Sequence, residues 1–174
     1  LSYENFDDFL AGALFADIVT DVPTDILLGI ENGVTPHSFT VEKGFPGVPF
    51  FQQFIGMQVN TFSLNLQGNS PVTGSMELIG TNYTSGGVSI ENSRVAPTQG
   101  GIYNSYSGDL SEGGIAGQGI VLSMSMSINN NITPAFALFD DTAKELVDGR
   151  CTIEGSLQIY FEDATIYDKF ANDT

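Results

Sequence analysis

The sequence has one histidine, His37, and one cysteine, Cys151, the residue types that many hydrolytic mechanisms use for proton transfer or nucleophilic attack. A Ser-His-Asp or Cys-His mechanism would have to use His37. His37 lies in a Thr-Pro-His-Ser stretch before a strand-like segment, which is typical of an exposed histidine between a loop and a strand. Cys151 lies on the apolar side of an alternating segment, where a thiol is usually an inert core side chain. Neither residue indicates a catalytic site, and we predict that the chain is not an enzyme.

Paired carboxylates are a second kind of candidate, because glycoside hydrolysis needs two carboxyl groups that face each other across a cleft. In this sequence each acidic pair consists of neighbours in the chain, whose side chains point in different directions. The pairs are Asp7/Asp8, Asp140/Asp141 and Glu162/Asp163. These positions fit helix starts and a solvated loop better than a catalytic pair.

Metal and phosphate sites are equally poorly supported by the spacing of the residues. One His and one Cys cannot supply a typical zinc centre, and no acidic run matches a calcium-binding loop. The glycine-rich stretch at residues 113–119 lacks the Gly-Lys-Ser/Thr ending of a phosphate-binding loop, so we interpret it as a flexible linker. We therefore predict no catalytic residue, no metal and no cofactor.

The charge composition limits the possible partners. The chain has 21 Asp and Glu against 5 Lys and Arg, which gives a formal net charge of −16. A basic stripe for nucleic acid or for an anionic membrane needs clustered cations, and here they are scattered. The cations are Lys43, Arg94, Lys144, Arg150 and Lys169. We expect neither tight nucleic-acid binding nor membrane binding, whereas 41% hydrophobic residues suffice for one folded domain.

The elements that would position any site are one early helix and several strands. Apolar residues recur at helical spacing from Asn5 to near Ala16, with Asp7 and Asp8 in the first turn, where the helix dipole favours anions. Residues 17–36 contain Pro and Gly and predict a loop with one short strand at residues 26–30. A second short amphipathic helix is predicted at residues 164–172, after the last strand.

Two amphipathic hairpins are the clearest signal in the sequence. Residues 60–67 and 72–78 alternate apolar and polar side chains around a Gly-Asn-Ser-Pro turn, which predicts a hairpin with one apolar face and one polar face. Residues 120–128 and 151–161 alternate in the same way. Both second strands contain Gly-Ser-apolar-polar-apolar, so the two units are either an internal duplication or two similar amphipathic hairpins.

The connections carry weaker patterns. Residues 136–147, within the connection between the strands of the second hairpin, predict a helical turn or a loop. Residues 81–119 are rich in Gly, Ser, Asn and Tyr, and they predict a long loop or weak edge strands. Residues 44–51 are also interpreted as a loop.

The polar strand faces allow two interpretations. The first is a β-sandwich or small sheet with one face in water. The second is that several copies join edge to edge, so that the polar faces line a channel and no strand edge stays exposed. The predicted fold class is therefore mainly β (α+β), an antiparallel β-sandwich or half-barrel with two amphipathic hairpins and one or two short flanking helices.

Three segments resemble the central signature of the major tail tube proteins of long-tailed, siphovirus-type bacteriophages. They are SFTVEKG at residues 38–44, FIGMQVNTFSL at residues 54–64 and VTGSMELIG at residues 72–80. The flanking residues 1–10 and 155–170 are similar to the helix before this signature and to the closing strand and helix after it. Family members usually continue on both sides, so the resemblance implies that residues 1–174 are a single tail-tube-like domain truncated at both ends.

The resemblance implies a structural virion protein. Subunits would form hexameric rings that close an inner β-barrel and stack into the tail tube around a tape measure protein, with tail terminator and tail tip proteins as further partners. Genomic DNA would pass through without tight binding, and assembly would take place in the cytoplasm of the bacterial host. The residues expected to face the lumen are Ser63, Asn65, Thr73, Ser75, Glu77, Ser123, Ser125, Thr152, Glu154, Ser156 and Gln158. Residues 44–51 and 81–119 are candidates for ring-to-ring contacts.

A different class of function stays open from the residues alone. The aromatic side chains Tyr83, Tyr103 and Tyr106 in the long loop would also suit a monomeric β-domain that binds carbohydrate or a host surface. Self-assembly separates the two interpretations.

Overall fold

The structure is a computed structural model that describes residues 6–16, 19–21, 26–45, 47–91, 93, 111–112, 115–116, 120–160 and 171. Strands dominate the described part. The elements are α1 (Phe6–Leu14), β1 (Val19–Asp21), β2 (Ile26–Gly29), β3 (Phe39–Phe45), β4 (Val48–Gln67), β5 (Thr73–Ile79), β6 (Asn82–Gly86), β7 (Ser111–Glu112), β8 (Ile115–Ala116), β9 (Ile120–Asn129), β10 (Thr133–Phe136), β11 (Ala143–Val147) and β12 (Thr152–Tyr160).

Strand β4 is the spine of the fold, because its 20 residues belong to two sheets. Its N-terminal half pairs with β3 on one side and with β6 on the other, and we call these three strands the extension sheet. Its C-terminal half pairs with β5 and β9, and β9 pairs with β12; we call β5–β4–β9–β12 the main sheet. All these pairings are antiparallel. Three small hairpins, β1–β2, β7–β8 and β10–β11, lie outside the two sheets.

The core lies between α1 and one face of the main sheet. Helix α1 is amphipathic, and its apolar side chains pack against buried residues of β4 and β9. The fully buried members are Ala13, Val59, Phe62 and Ile128. Val59 and Phe62 both point to the core, although strict alternation over three residues would put them on opposite faces.

A β-bulge at Asn60 explains this arrangement. Val59 pairs with Leu78 and Thr61 pairs with Glu77, so Asn60 is an extra residue on β4 that changes which face the following residues occupy. The carbonyl of Asn60 accepts a hydrogen bond from the Asn130 amide (2.8 Å), and its side-chain oxygen accepts one from the Ile132 amide (2.9 Å). The bulge therefore also directs the chain that leaves β9.

The C-terminal end of α1 is capped by a hydrogen bond within its last turn and by donors from two other segments. Phe15 is left-handed (φ 52°) and the Ala16 amide donates to the Ala11 carbonyl (3.0 Å), which is the Schellman arrangement at a helix end. The Leu14 carbonyl accepts from the Gly33 amide, and the Ala13 carbonyl accepts from the side chain of Asn130 (3.0 Å). Helix carbonyls that would otherwise lack partners thus fix α1 to the sheet.

Gly56 marks the place where β4 passes from the extension sheet to the main sheet. It has a left-handed backbone (φ 64°), and a Cβ there would lie 2.6 Å from the Thr81 hydroxyl oxygen. The Thr81 amide and hydroxyl both donate to the Ile55 carbonyl, so the two strands are close at this point. Only glycine satisfies both conditions without movement.

Replacing Gly56 by Ala is expected to destabilise the fold by about 2 kcal/mol or more, since the left-handed conformation alone costs about 1–2 kcal/mol for an L-residue. Gly47 is the matched control, because it is also left-handed (φ 78°), but a Cβ added to it would meet no atom within 4 Å beyond its chain neighbours. Gly47→Ala should cost only the conformational part. Urea unfolding of both variants measures the difference, and equal losses would contradict a role for the contact with Thr81.

Most sequence predictions of elements are confirmed. The fold is mainly β and antiparallel and is consistent with a β-sandwich; within the described part the main sheet of one subunit does not close into a barrel. Helix α1, the short strand β2 and both amphipathic hairpins lie where they were predicted. The predicted helix at residues 164–172 lies outside the described residues, apart from residue 171.

One prediction of a loop is wrong and another is wrong in part. Residues 136–147 were predicted as a helical turn or a loop. Residues 137–142 are a turn, but Phe136 ends β10 and Ala143–Val147 forms β11. Residues 44–51 are mostly strand. Pro49 is tolerated there because it lies in a bulge between β3 and β4, where its missing backbone N–H costs no ladder bond. In residues 81–119, β6, β7 and β8 are strands, in line with the weak-strand alternative.

Candidate functional site

The face of the main sheet opposite α1 is covered by short polar side chains from four adjacent strands. The pairing register aligns them in cross-strand rows, since directly opposed residues in an antiparallel sheet point to the same side. The rows are Glu77–Thr61–Asn129–Thr152, Ser75–Ser63–Ser127–Glu154, Thr73–Asn65–Ser125–Ser156 and, without a β5 member, Gln67–Ser123–Gln158. All eleven residues predicted from the sequence as a polar wall are members of these rows, so they share one surface, which we call the polar face.

Hydrogen bonds between side chains connect neighbouring strands along the polar face. The hydroxyl oxygens of Ser63 and Ser75 are 2.7 Å apart, as are those of Ser125 and Ser156. The Thr61 hydroxyl donates to the Glu77 carboxylate (3.2 Å). These hydroxyls satisfy one another, which leaves a surface of hydroxyl, amide and carboxylate groups that bind each other across the strands.

The polar face carries negative charge only. Glu77 and Glu154 are its two ionisable members, and no Lys or Arg occurs in its rows. The cations of the described part lie elsewhere: Lys43 is 5.3 Å from the centre of the Phe45 ring, and Lys144 pairs with Asp140 at 2.9 Å. Arg150 precedes β12. A polyanion near the polar face would meet carboxylates and neutral groups rather than a binding site.

The register adds four residues that the sequence prediction left out, namely Thr61, Gln67, Ser127 and Asn129. Each of them continues the alternation of polar and apolar side chains along its strand. The alternation in the sequence was therefore enough to place them on the polar face. What the alternation could not give was the direct pairing of β4 with β9, which joins the two predicted hairpins into one four-stranded surface.

The residues with catalytic potential lie in different parts of the fold. Cys151 is a free thiol, half-buried against the core cluster, as expected for an inert thiol. His37 is half-buried rather than exposed, which corrects the sequence prediction; it lies before β3, where the chain returns from the end of α1. Within the described ranges, no group of three or more His, Cys, Asp or Glu side chains is arranged to hold a metal ion.

Of the acidic pairs, Asp140/Asp141 lies in the turn of the β10–β11 hairpin. Hydrogen bonds from Lys144 and then from Thr142 hold the pKa of Asp140 below its ordinary value, and the same pairing raises the pKa of Lys144. This is a turn-stabilising ion pair. Asp8 lies in the first turn of α1, and Glu162/Asp163 lies outside the described residues. No helix in the described part is both long and apolar enough to span a bilayer.

Comparison with known proteins gives one clear match. A family model described as phage tail tube protein matches residues 1–174, which is the whole chain. No curated protein matches the chain. The matched region includes α1, the extension sheet and all four strands of the polar face.

Proposed function

The chain belongs to the phage tail tube protein family, and from this premise we propose that its subunits join side by side into hexameric rings that stack into the tube through which the genome leaves the virion. Membership of this family makes the protein a structural component of the phage tail, a role that is not enzymatic.

Strand direction is the observation that carries the proposal of rings. Each strand of the main sheet is antiparallel to its neighbour, and the sheet has four strands, so its outer strands β5 and β12 run in opposite directions. In the described part, each of them pairs on one side only. The β12 strand of one copy could thus pair with β5 of the next and continue the same antiparallel order. Repetition of this junction would remove the exposed edges.

The size of the subunit sheet supports several copies around the axis. Two copies would give about eight strands, a barrel whose interior is filled by its own side chains, whereas about sixteen or more strands leave an aqueous channel. Four or more copies of a four-stranded sheet would therefore leave a channel. Six copies, the number implied by the family resemblance, satisfy this condition.

The polar face suits the wall of a DNA conduit. We infer that it lines the lumen, because the opposite face of the main sheet is occupied by α1 and the core. Its hydroxyls, amides and two carboxylates would neither bind nor neutralise phosphates, so a duplex could move along it. The tape measure protein would occupy the same lumen before the DNA, and tail terminator and tip proteins would close its ends.

Electron microscopy of the purified full-length protein tests assembly. We expect rings with six-fold symmetry, or tubes, at micromolar concentration. A protein that stays strictly monomeric under all assembly conditions, including those of a phage lysate, would exclude the tube. The exposed Tyr83 on β6 favours a second candidate, a monomeric domain that binds carbohydrate; retention of such a monomer on glycan arrays would support it.

Proline substitutions at two successive residues of β5 test the proposed junction. Amides alternate in direction along a strand, so one of Gly74 and Ser75 points its N–H at β4 and the other points it at the free edge. Proline at the residue whose N–H points at β4 removes a hydrogen bond between β4 and β5 and should lower the stability of the subunit by about 1–3 kcal/mol. Proline at the residue whose N–H points at the free edge should leave the subunit folded but stop ring formation.

The readouts are thermal unfolding of the subunit and the yield of rings. Ser75→Ala, on the same strand, is the control and should assemble. If both proline variants fold and also form rings at the parent yield, β5 is not an assembly edge.

A further inference from the structure

The β10–β11 hairpin exposes large apolar side chains at its turn, where polar residues are usual. Leu138 is 88% exposed and Phe139 is completely exposed (106%), and Phe136 beside them is also exposed. Phe139 has a left-handed backbone (φ 69°), which is uncommon for a bulky residue. We call Phe136, Leu138 and Phe139 the apolar tip. A subunit in isolation gains nothing from holding these side chains in water.

The hairpin presents this tip in a defined geometry. Four residue pairs join β10 and β11, from Thr133↔Val147 to Phe136↔Ala143. Just after the tip, the Asp140 carboxylate accepts hydrogen bonds from the Lys144 ammonium (2.9 Å) and the Thr142 hydroxyl (3.0 Å). These contacts close the turn from one side, so the tip is a projection from an ordered hairpin.

The turn end of the hairpin lies at the β5 side of the main sheet. The Ala143 amide donates to the Thr81 carbonyl (3.1 Å), and Thr81 lies in the connection between β5 and β6. Phe139 is four residues before Ala143, and the Asp140 amide donates to the Ala137 carbonyl (3.3 Å), so the tip lies in a turn next to this contact. The tip therefore lies on the β5 side of the main sheet, the side that would meet the next subunit of a ring.

The opposite edge of the main sheet has an exposed apolar patch. Ile153 and Leu157 of β12 lie on the face opposite the polar face, yet they are 54% and 45% exposed, because α1 covers β4 and β9 instead. Ile153 stands in the row Met76–Phe62–Ile128–Ile153, so it lies at the same end of the sheet as the tip. We call Ile153 and Leu157 the β12 patch.

Exposed acids lie near the apolar tip, and an exposed cation lies near the β12 patch. Arg150, just before the β12 patch, is exposed, and its side chain makes no ion pair with any residue that the structure describes. Asp141 and Glu145, which flank the apolar tip, are exposed acids. One copy thus offers an apolar knob with acids around it, and the other edge of the same chain offers an apolar surface with a cation beside it.

We propose that the apolar tip of one subunit docks on the β12 patch of the next subunit in the ring, on the outside of the main sheet. The proposal rests on the side-by-side assembly described above, which brings the β5 edge of one copy to the β12 edge of its neighbour. Each subunit uses its tip once and its patch once, so the contact is head-to-tail and repeats around a closed ring. The occupant of the patch is a second copy of this chain.

Removal of the tip tests the contact without touching the core. Leu138→Ser combined with Phe139→Ser should leave the unfolding temperature of the unassembled subunit unchanged and raise the critical concentration for ring formation by roughly tenfold or more, since two large side chains per subunit lose their burial. Val34→Ser, at an exposed apolar residue outside the hairpin, is the matched control and should assemble like the parent. Assembly of the tip variant at the parent concentration would overturn the proposal.

Cross-linking identifies the surface that receives the tip. In a Cys151→Ala background, one preparation carries Phe139→Cys and a second carries Ile153→Cys, and the two are mixed under assembly conditions with a short bismaleimide. We expect a covalent dimer in the mixture and none in either preparation alone. Glu154→Cys, one residue along β12 on the polar face, is the control partner and should give no dimer.

The outcomes separate this contact from the proposed function. If the parent forms rings while the tip variant assembles normally and Phe139→Cys does not link to Ile153→Cys, the docking contact is wrong and the tube stands. If the parent never assembles, the tube proposal fails and the docking contact fails with it.

Discussion

Replacing Asn130 by Ala is expected to destabilise the subunit by about 2–4 kcal/mol, because two buried carbonyl oxygens lose their donor. The Asn130 side chain is 2% exposed, and its amide group donates to the Ala13 carbonyl (3.0 Å) and to the Val59 carbonyl (2.9 Å). Ala13 and Val59 are themselves fully buried, so water cannot replace the lost bonds.

The large effect follows from the position of Asn130 between three elements. It follows β9 directly, and its backbone amide donates to the carbonyl of Asn60 in the bulge of β4. Its side chain donates to the Ala13 carbonyl of α1. Its own carbonyl accepts from the Gly149 amide (3.1 Å), which brings the chain back towards β12. One residue therefore fixes the helix, the bulge and the connection between β9 and β12.

Urea unfolding of the unassembled subunit measures this loss. Asn65→Ala is the control, since Asn65 is an exposed asparagine of the polar face, and its replacement should change the stability by about 0.5 kcal/mol at most. Asn130→Asp keeps the shape but puts a carboxyl in a buried site, where desolvation raises its pKa above the unfolded value. The stability of that variant should therefore be higher at low pH and fall as the pH rises through the unfolded pKa towards the folded one. Equal stability of Asn130→Ala and the parent would contradict this role.

The second large effect is expected in genome delivery. Replacing Glu77 and Glu154 by Lys reverses the two charges of the polar face, so a lumen built from it would attract phosphates along its whole length. Tubes should still form, because both side chains are exposed and neither takes part in the core. DNA release should slow, and plaque-forming titre should drop by about tenfold or more per assembled particle.

Particles of equal morphology are compared for infectivity and for DNA release in vitro over a range of salt. Added salt should partly restore release, since cation–phosphate attraction weakens with ionic strength. Glu31→Lys, an exposed acid outside the main sheet, is the control and should deliver DNA normally. Unchanged titre for Glu77→Lys with Glu154→Lys would place the polar face somewhere other than the lumen.

Local patterns predict the strands well where one side of the strand meets water. In β4, β5, β9 and β12 the alternation of apolar and polar residues is read directly from the chain, because every second side chain of a strand points to the same face. Gly74 and Gly155, which suggested an internal duplication, occupy the same cross-strand row at opposite edges of the main sheet. That placement is compatible with both a duplication and two similar hairpins.

The same patterns fail where a turn or a bulge interrupts the alternation. Pro46, Gly47 and Pro49 favour a loop, yet β3 and β4 form a hairpin there, with Lys43, Phe45 and Phe50 packed beside one another. Residues 133–147 make two strands of only 4 and 5 residues, too short for a period to stand out. In both places long-range pairing decides the structure, and local propensity does not.

The sequence alone determines the fold class, the four amphipathic strands, the polar composition of one face and the resemblance to tail tube proteins, because each of these depends on residue type and spacing along the chain. Only the tertiary structure decides that β4 pairs with β9 and that β5 and β12 are left as the outer strands, because pairing depends on contacts between residues far apart in sequence. It also decides that the bulge at Asn60 lets both Val59 and Phe62 face the core, and that the Asn130 side chain binds a carbonyl at the end of α1. The apolar tip and the β12 patch belong to this second group, since an exposed side chain is known only when its surroundings are.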